Sequence, residues 1–182
     1  MINGESSYRR FLSGDEAAFE EIMKAYFDNL IFFINRYVKD VHAAEDIAID
    51  SFAYILANKR RYNFKVTFKT YLFMIAKSRA LNYIRHNKTV TLVPLDDARQ
   101  IADSKSVEDT VLKNEISKKV SAAIDTLSED MKIAVHLVYF EQLSYKQAAA
   151  VMKKTPKQVD NILYRAKCEL RIILGKDGEQ LL

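Results

Sequence analysis

Residues 144–167 read SYKQAAAVMKKTPKQVDNILYRAK, and the helix signals packed into this stretch decide the fold. Ser144 with Gln147, and Thr155 with Gln158, form two capping boxes. In each, the hydroxyl accepts from a backbone N–H and the Gln side chain returns a bond to the cap residue. Pro156 stands at the first position of the second helix, where its missing N–H would have no partner in any case. Two short helices are therefore predicted, Tyr145–Met152 and Pro156–Lys167, joined by a tight turn at Lys153, Lys154 and Thr155. This is a helix-turn-helix, whose second helix places its N-terminal residues in a DNA major groove. Val159, Ile162, Leu163 and Ala166 form its inner face, to pack on Ala148, Ala149 and Met152. Lys157, Gln158, Asn161, Tyr164 and Arg165 fall on the outer face as donors, acceptors and a ring, and Arg165 and Lys167 can hold phosphates.

Helical periodicity extends outward from this pair. Ser128 is expected to cap a helix carrying Met131, Ala134, Val135, Leu137 and Val138. Ser106 and Asp109 mark the start of another, with Leu112, Ile116, Val120, Ala123, Ile124 and Leu127 inside. Near the N-terminus, Ser13 and Glu16 resemble a capping box before the stripe Phe19, Ile22, Met23, Tyr26, Leu30, Phe33, Ile34 and Tyr37. A helix over about 41–58 buries Ala44, Ile47, Ala48, Phe52 and Ile55. A further helix is predicted from Thr67, its N-cap, towards Asn87. Only four Gly and two Pro are present, too few turn residues for a many-stranded β protein. The expected fold is all-α.

Between these halves, residues 89–105 contain Pro94, Asp96, Asp97, Asp103 and Ser104 and lose periodicity, as a flexible linker does. Fully extended, it could span on the order of 50 Å. Two small helical domains are expected, at 1–88 and 106–175, each with its own core, followed by a tail at 176–182. Their relative placement is left open by such a joint.

The formal net charge is only +4, so distribution carries more information than the total. Between Asp50 and Asp96 there is no acidic residue. The window holds Lys59, Arg60, Arg61, Lys65, Lys69, Lys77, Arg79, Arg85 and Lys88. Interleaved are Phe52, Tyr54, Tyr62, Phe64, Phe68, Tyr71, Phe73 and Tyr83. Cations neutralise phosphates, and rings offer unstacked bases about 1–3 kcal/mol each. The mixture suits single-stranded nucleic acid or duplex being opened; an aromatic core beneath a basic surface accounts for some of the same rings. Just before the window, Glu45, Asp46 and Asp50 make an acidic helix face, with Asp46 and Asp50 one turn apart.

Catalytic signatures are missing. His42, His86 and His136 are scattered without metal-ligand spacing, no local motif joins Ser, His and Asp, and there is no glycine-rich phosphate loop. The single Cys168 excludes an intramolecular disulfide and a thiolate-rich zinc site. No cofactor or metal, and no enzymatic activity, is expected. Apolar runs are too short for a bilayer, since Asn35 and Arg36 soon follow Phe32–Ile34, and the N-terminus lacks a signal core. A cytoplasmic protein without membrane insertion is expected.

Three longer stretches resemble a known family. AEDIAIDSFAYILANKRRY (44–62) and FKTYLFMIAKSRALNYIR (68–85) resemble the second conserved region of extracytoplasmic-function sigma factors of the sigma-70 family. LSEDMKIAVHLVYFEQLSYKQAAAVMKKTPKQVDNILYRAKCEL (127–170) resembles their fourth region. The resemblance implies a subunit that binds core RNA polymerase and directs promoter recognition, DNA opening and transcription initiation. It implies that Glu45, Asp46, Asp50 and Phe52 dock on the clamp helices of the β′ subunit. Lys69, Tyr71, Lys77, Ser78, Arg79, Asn82 and Arg85 would bind and open the −10 element, with Ser78 in a base-capturing loop where relatives commonly have Asn. Thr155, Lys157, Gln158, Asp160, Asn161, Tyr164, Arg165 and Lys167 would read the −35 element, Asp160 as an acceptor for cytosine N4. The β flap and an anti-sigma factor are further implied partners, and the linker would thread towards the active-site channel and RNA exit path. Lys153 stands where relatives often carry Gly, so it must take a left-handed conformation or change the turn. The competing reading is a helix-turn-helix regulator acting at operator DNA without joining polymerase, which leaves the acid-free window unexplained. A recombinase-like enzyme using Ser or Tyr would need an acid-base cluster that the sequence lacks.

Overall fold

The structure, a computed structural model, describes residues 4–90 and 111–175. Among them every regular element is helical: α1 Gly4–Leu12, α2 Ala17–Val38, α3 Val41–Ala57, α4 Phe68–Val90, α5 Val111–Thr126, α6 Glu129–Val135, α7 Tyr145–Met152 and α8 Pro156–Leu174. A five-residue π-helical turn, His136–Phe140, continues α6. The protein is all-α and built of two helical domains, α1–α4 and α5–α8. The first two residues of the expected linker lie in α4; its remainder, the helix start at Ser106 and the tail at 176–182 lie outside the described residues.

Around α2, the first domain packs its three other helices. α1 was not expected from sequence. Its Tyr8 is fully buried, stacks on Phe68 at 4.9 Å and meets Tyr62 edge-on at 5.3 Å. The Tyr8 hydroxyl donates to the Lys59 carbonyl at 2.8 Å, and burial raises its pKa to about 12. Glu5 accepts from the Phe68 N–H at 2.8 Å, so α1 helps to cap α4. Thr67 accepts from Thr70 N–H at 3.3 Å, the N-cap role expected of it.

Ser13 does not cap α2. It ends α1, donating its hydroxyl to the Arg9 carbonyl at 3.0 Å. Asp15 serves the next helix instead, accepting from Ala18 N–H at 3.3 Å and pairing with Arg10 at 2.6 Å. The extra turn of chain needed to seat Tyr8 and Phe11 moves the boundary from Ser13 to Ala17. α3 starts from Asp40, whose carboxylate accepts from Ala43 N–H at 3.1 Å.

In the second domain, both expected capping boxes form. Gln147 N–H donates to Ser144 Oγ at 3.3 Å and Ser144 N–H to Gln147 Oε1 at 2.8 Å. Gln158 N–H donates to Thr155 Oγ1 at 3.2 Å and Thr155 N–H to Gln158 Oε1 at 2.7 Å. Lys153 takes the left-handed conformation, φ 58° and ψ 45°, and thereby ends α7. Ser128 holds the N-cap position of α6 in extended geometry without a side-chain bond.

The domains are not separated. α4 packs on α7 and α2 on α6, and buried apolar side chains run continuously from one domain into the other. Sequence periodicity assigned each helix an inner face and led to the expectation of two independent cores. It contained nothing about the surface that the domains share.

Candidate nucleic-acid interface

On α8 the inner and outer faces divide as the spacing requires. Val159, Ile162, Leu163 and Ala166 are buried with Ala148, Ala149 and Met152, while Lys157, Gln158, Asp160, Asn161, Tyr164 and Arg165 are exposed. Tyr164 is 70% exposed, which leaves most of its side chain accessible to a partner. Gln158, Asn161 and Arg165 also line an open cleft of about 360 Å³ against Ser128, Asp130 and Met131 at the start of α6. Lys154 crosses this cleft mouth to Asp130 at 3.0 Å.

Three side chains in the expected −35 set are already engaged. The Thr155 hydroxyl and the Gln158 carbonyl oxygen belong to the capping box. Gln158 therefore keeps its N–H donors, while one of the two lone pairs of its oxygen is committed to the Thr155 N–H. Lys167 lies 5.4 Å over the Tyr139 ring, and its pKa is raised chiefly by a hydrogen bond with that tyrosine. Asn161 and Arg165 remain as the exposed polar pair one turn apart.

The expected −10 set divides between two sides of α4. Tyr71, Ser78, Asn82 and Arg85 recur at helical spacing along one side; Ser78, Asn82 and Arg85 are exposed and Tyr71 is half-buried. Ser78 thus stands in mid-helix rather than in a loop, because helical hydrogen bonding continues from Phe68 to Val90. Arg79 sits 5.0 Å over the Tyr54 ring and 3.7 Å from Asp50. Lys69 and Lys77 face the second domain. Lys69 Nζ lies 2.7 Å from both the Glu141 carboxylate and its backbone carbonyl, and Lys77 Nζ donates to the Met152 carbonyl at 2.7 Å. Burial is the main reason that the Lys77 pKa is lowered.

The aromatic residues of the acid-free window are mainly structural. Phe52, Tyr62, Phe68 and Phe73 are buried, and Tyr54, Phe64, Tyr71 and Tyr83 are partly covered. Tyr71 stacks on Tyr62 at 5.0 Å and 27°. Exposed cations gather instead in the α3–α4 connection, at Lys59, Arg60, Arg61 and Lys65, with Arg61 donating to the Tyr54 hydroxyl at 2.6 Å and Lys59 5.8 Å over the Phe11 ring. This loop was visible in the charge pattern but missing from the expected site residues, since helical spacing had drawn attention to α4. Phe64 within it has a left-handed φ of 60°, and the Arg9 guanidinium lies 4.1 Å over its ring.

On α3, Glu45, Asp46 and Asp50 are exposed as expected, joined by Ile49 and Leu56 on the same side. Phe52 is not part of that surface. It is 1% exposed, with the Phe19 and Phe27 rings 6.1 and 6.2 Å away, because its position falls on the inward face of α3. Among the described residues there is no cluster of potential metal ligands and no helix long and apolar enough to cross a membrane.

The chain is similar to known proteins in sequence and in fold. Residues 22–90 match the family described as Sigma-70 region 2, and residues 117–170 match Sigma-70, region 4. The RNA polymerase sigma-H factor of Pseudomonas aeruginosa is 31% identical over 169 residues, covering 87% of this chain and 86% of that protein. The extracytoplasmic-function sigma factor SigM of Bacillus subtilis is 25% identical over 158 residues, covering 86% and 95%. The fold is that of the sigma factor RpoE from Bartonella quintana, solved in complex with the anti-sigma factor NepR, with a TM-score of 0.69, 20% identity and coverage of 87% of this chain and 98% of that one. CnrH, solved with the cytosolic domain of CnrY, has a TM-score of 0.66 at 17% identity, covering 97% and 99%. With both conserved regions in order and a relative above 30% identity along most of its length, the chain belongs to the extracytoplasmic-function sigma factors of the sigma-70 family.

Proposed function

We infer that this protein binds core RNA polymerase in the cytoplasm and directs it to promoters, acting by binding and DNA opening rather than by bond chemistry of its own. The observation that carries this reading is two exposed polar surfaces, on α8 and on α4, beside an exposed acidic face on α3. The outer face of α8 reads the −35 element in the major groove, with Asn161 and Arg165 nearest the bases. The exposed side of α4, with Ser78, Asn82 and Arg85, takes the −10 element, and the cations Lys59, Arg60, Arg61 and Lys65 draw in the displaced strand. Glu45, Asp46 and Asp50 on α3, with Ile49 and Leu56 between and beyond them, face the β′ clamp helices. The β flap and an anti-sigma factor are proposed as further protein partners, on family resemblance.

Permanganate footprinting of a promoter with core polymerase tests the reading. Thymines at the −10 element should react only when the chain is added, and much less with a variant in which Lys59, Arg60, Arg61 and Lys65 are Ala. Equal reactivity with the variant removes the loop from the opening step. Absence of reactivity with the wild-type chain, together with duplex binding by the chain alone, favours an operator-binding regulator.

A further inference from the structure

The open cleft of about 360 Å³ beside the outer face of α8 is lined by one carboxylate, Asp130, and by two cations, Lys154 and Arg165. Lys154 Nζ lies 3.0 Å from Asp130 Oδ2, with 29% of the lysine side chain and 57% of the aspartate side chain exposed. Among the described residues Arg165 takes part in no ion pair, although it shares the cleft with Asp130. The backbone favours the lysine in this competition. Lys154 sits in the turn between α7 and α8, where its N–H donates to the Ala149 carbonyl at 3.0 Å and fixes the point from which its side chain leaves. Other cations nearby are occupied or aimed elsewhere. Lys77 feels the Asp130 charge but is held by the Met152 carbonyl at 2.7 Å. Lys39 and Lys132 both pair with Glu129, and Lys153 does not line the cleft. An unpaired Asp130 would therefore draw Arg165. A guanidinium meets a carboxylate through two N–H groups at once, a closer fit than an ammonium provides.

We propose that Lys154 is a positioning residue for −35 recognition: by occupying Asp130, it keeps Arg165 free to reach the bases. This role rests on the reading of α8 as the −35 helix, and it requires no contact between Lys154 and DNA. Without Lys154, apparent affinity falls in proportion to the fraction of chains whose Arg165 is free. The loss is confined to promoters at which Arg165 reads a base. A promoter with the wrong base pair at that position never used the contact and loses nothing. Exposure keeps the effect moderate, since a half-exposed ion pair shifts an equilibrium by about fivefold at most.

Transcript yield from a library of −35 variants, with core polymerase and the full chain, tests this role. Arg165→Ala first marks the base pair whose discrimination depends on that side chain. A uniform effect of Arg165→Ala would remove the α8 reading and the proposal with it, an outcome distinct from failure of the Lys154 role alone. Lys154→Met should then lower discrimination at the marked base pair by about threefold to fivefold and leave the other positions unchanged. Lys154→Arg keeps the pair with Asp130 and should behave as the wild type. Asp130→Asn alone should retain discrimination, and Asp130→Asn combined with Lys154→Met should restore it, because no carboxylate then competes for Arg165. All variants should keep the helical circular dichroism of the wild type. A loss in Lys154→Met spread evenly over all positions would show the lysine acting on phosphate or through overall charge, and would overturn the proposal. So would a loss at the marked base pair that Asp130→Asn does not repair, or the absence of any loss.

Discussion

Gln158 uses one carboxamide for two tasks, since its oxygen holds the Thr155 N–H at 2.7 Å while its position faces DNA. Gln158→Ala should therefore lower stability by about 1 kcal/mol through loss of the capping box as well as weakening DNA contact. Gln158→Glu keeps the acceptor and should retain the stability while losing the donors, and urea melts of both variants separate these effects. Asn161 has no such second task. Asn161→Ala should cost about 1–3 kcal/mol at one base pair of the −35 element and leave the other positions alike, as binding across a library of −35 variants would report. A uniform loss across the library would place the reading on another face of α8. His136 allows a test of burial. Desolvation first, then Arg36 and Lys69, push its pKa from 6.5 down to about 3. Between those values the unfolded chain binds a proton that the folded chain refuses, so stability rises with pH across that window and is lost on acidification. His136→Phe keeps an aromatic ring against Phe33 and removes the titration. From pH 7 to pH 5, the wild type should lose about 2 kcal/mol relative to this variant. An unchanged difference would show that the imidazole accepts a proton without unfolding, beside Glu141.

At the scale of elements, most helices could be located from sequence because each has its own local signal. Thr67, Ser144 and Thr155 are the expected caps, and all three accept the expected type of backbone N–H bond, while Asp40 adds one that the sequence reading did not name. α1 escaped because its nine residues bury only Tyr8 and Phe11 among large side chains, too few for a periodic pattern. The start of α2 was misplaced for the same reason, since Ser13 belongs to the end of an unrecognised helix. Lys153 shows local chemistry giving way to tertiary need, taking φ 58° so that α7 can stop and α8 can cross it. Lys153→Gly should remove a left-handed strain of about 1 kcal/mol, partly offset by the greater freedom of Gly when unfolded. A small rise in the thermal midpoint is expected, and a fall would mean that the Lys side chain contributes contacts of its own. On α3, the docking test is cleaner at Glu45 and Asp46 than at Asp50, which lies 3.7 Å from Arg79. Reversing the charge of Glu45 and Asp46 should weaken capture of core polymerase while leaving binding of duplex −35 DNA intact. Unchanged capture would move the docking face off this part of α3.

For the whole molecule, the division into two helical domains was readable from sequence and their packing was not. The acid-free window identified an unusual surface correctly as basic, but burial assigned its rings mainly to the core and divided its cations among loop, open side and domain contact. Lys69 and Lys77 are indistinguishable in sequence from the exposed lysines Lys59 and Lys65 of the same window, yet they meet Glu141 and Met152 across the domain boundary. Only three-dimensional placement shows which of these cations a neighbouring domain holds. The α8 surface was more legible because capping residues fix where that helix begins, and 3.6-residue periodicity then fixes its faces. The central claim is that this chain confers promoter choice on polymerase, and sequencing of transcript 5′ ends tests it most directly. Core polymerase would be incubated with genomic DNA, nucleotides and the full chain, with core polymerase alone as reference. The account predicts new start sites that share one −35 and one −10 sequence at fixed spacing and that are lost when Asn161 and Arg165 are both Ala. Start sites indistinguishable from those of core polymerase alone would contradict it.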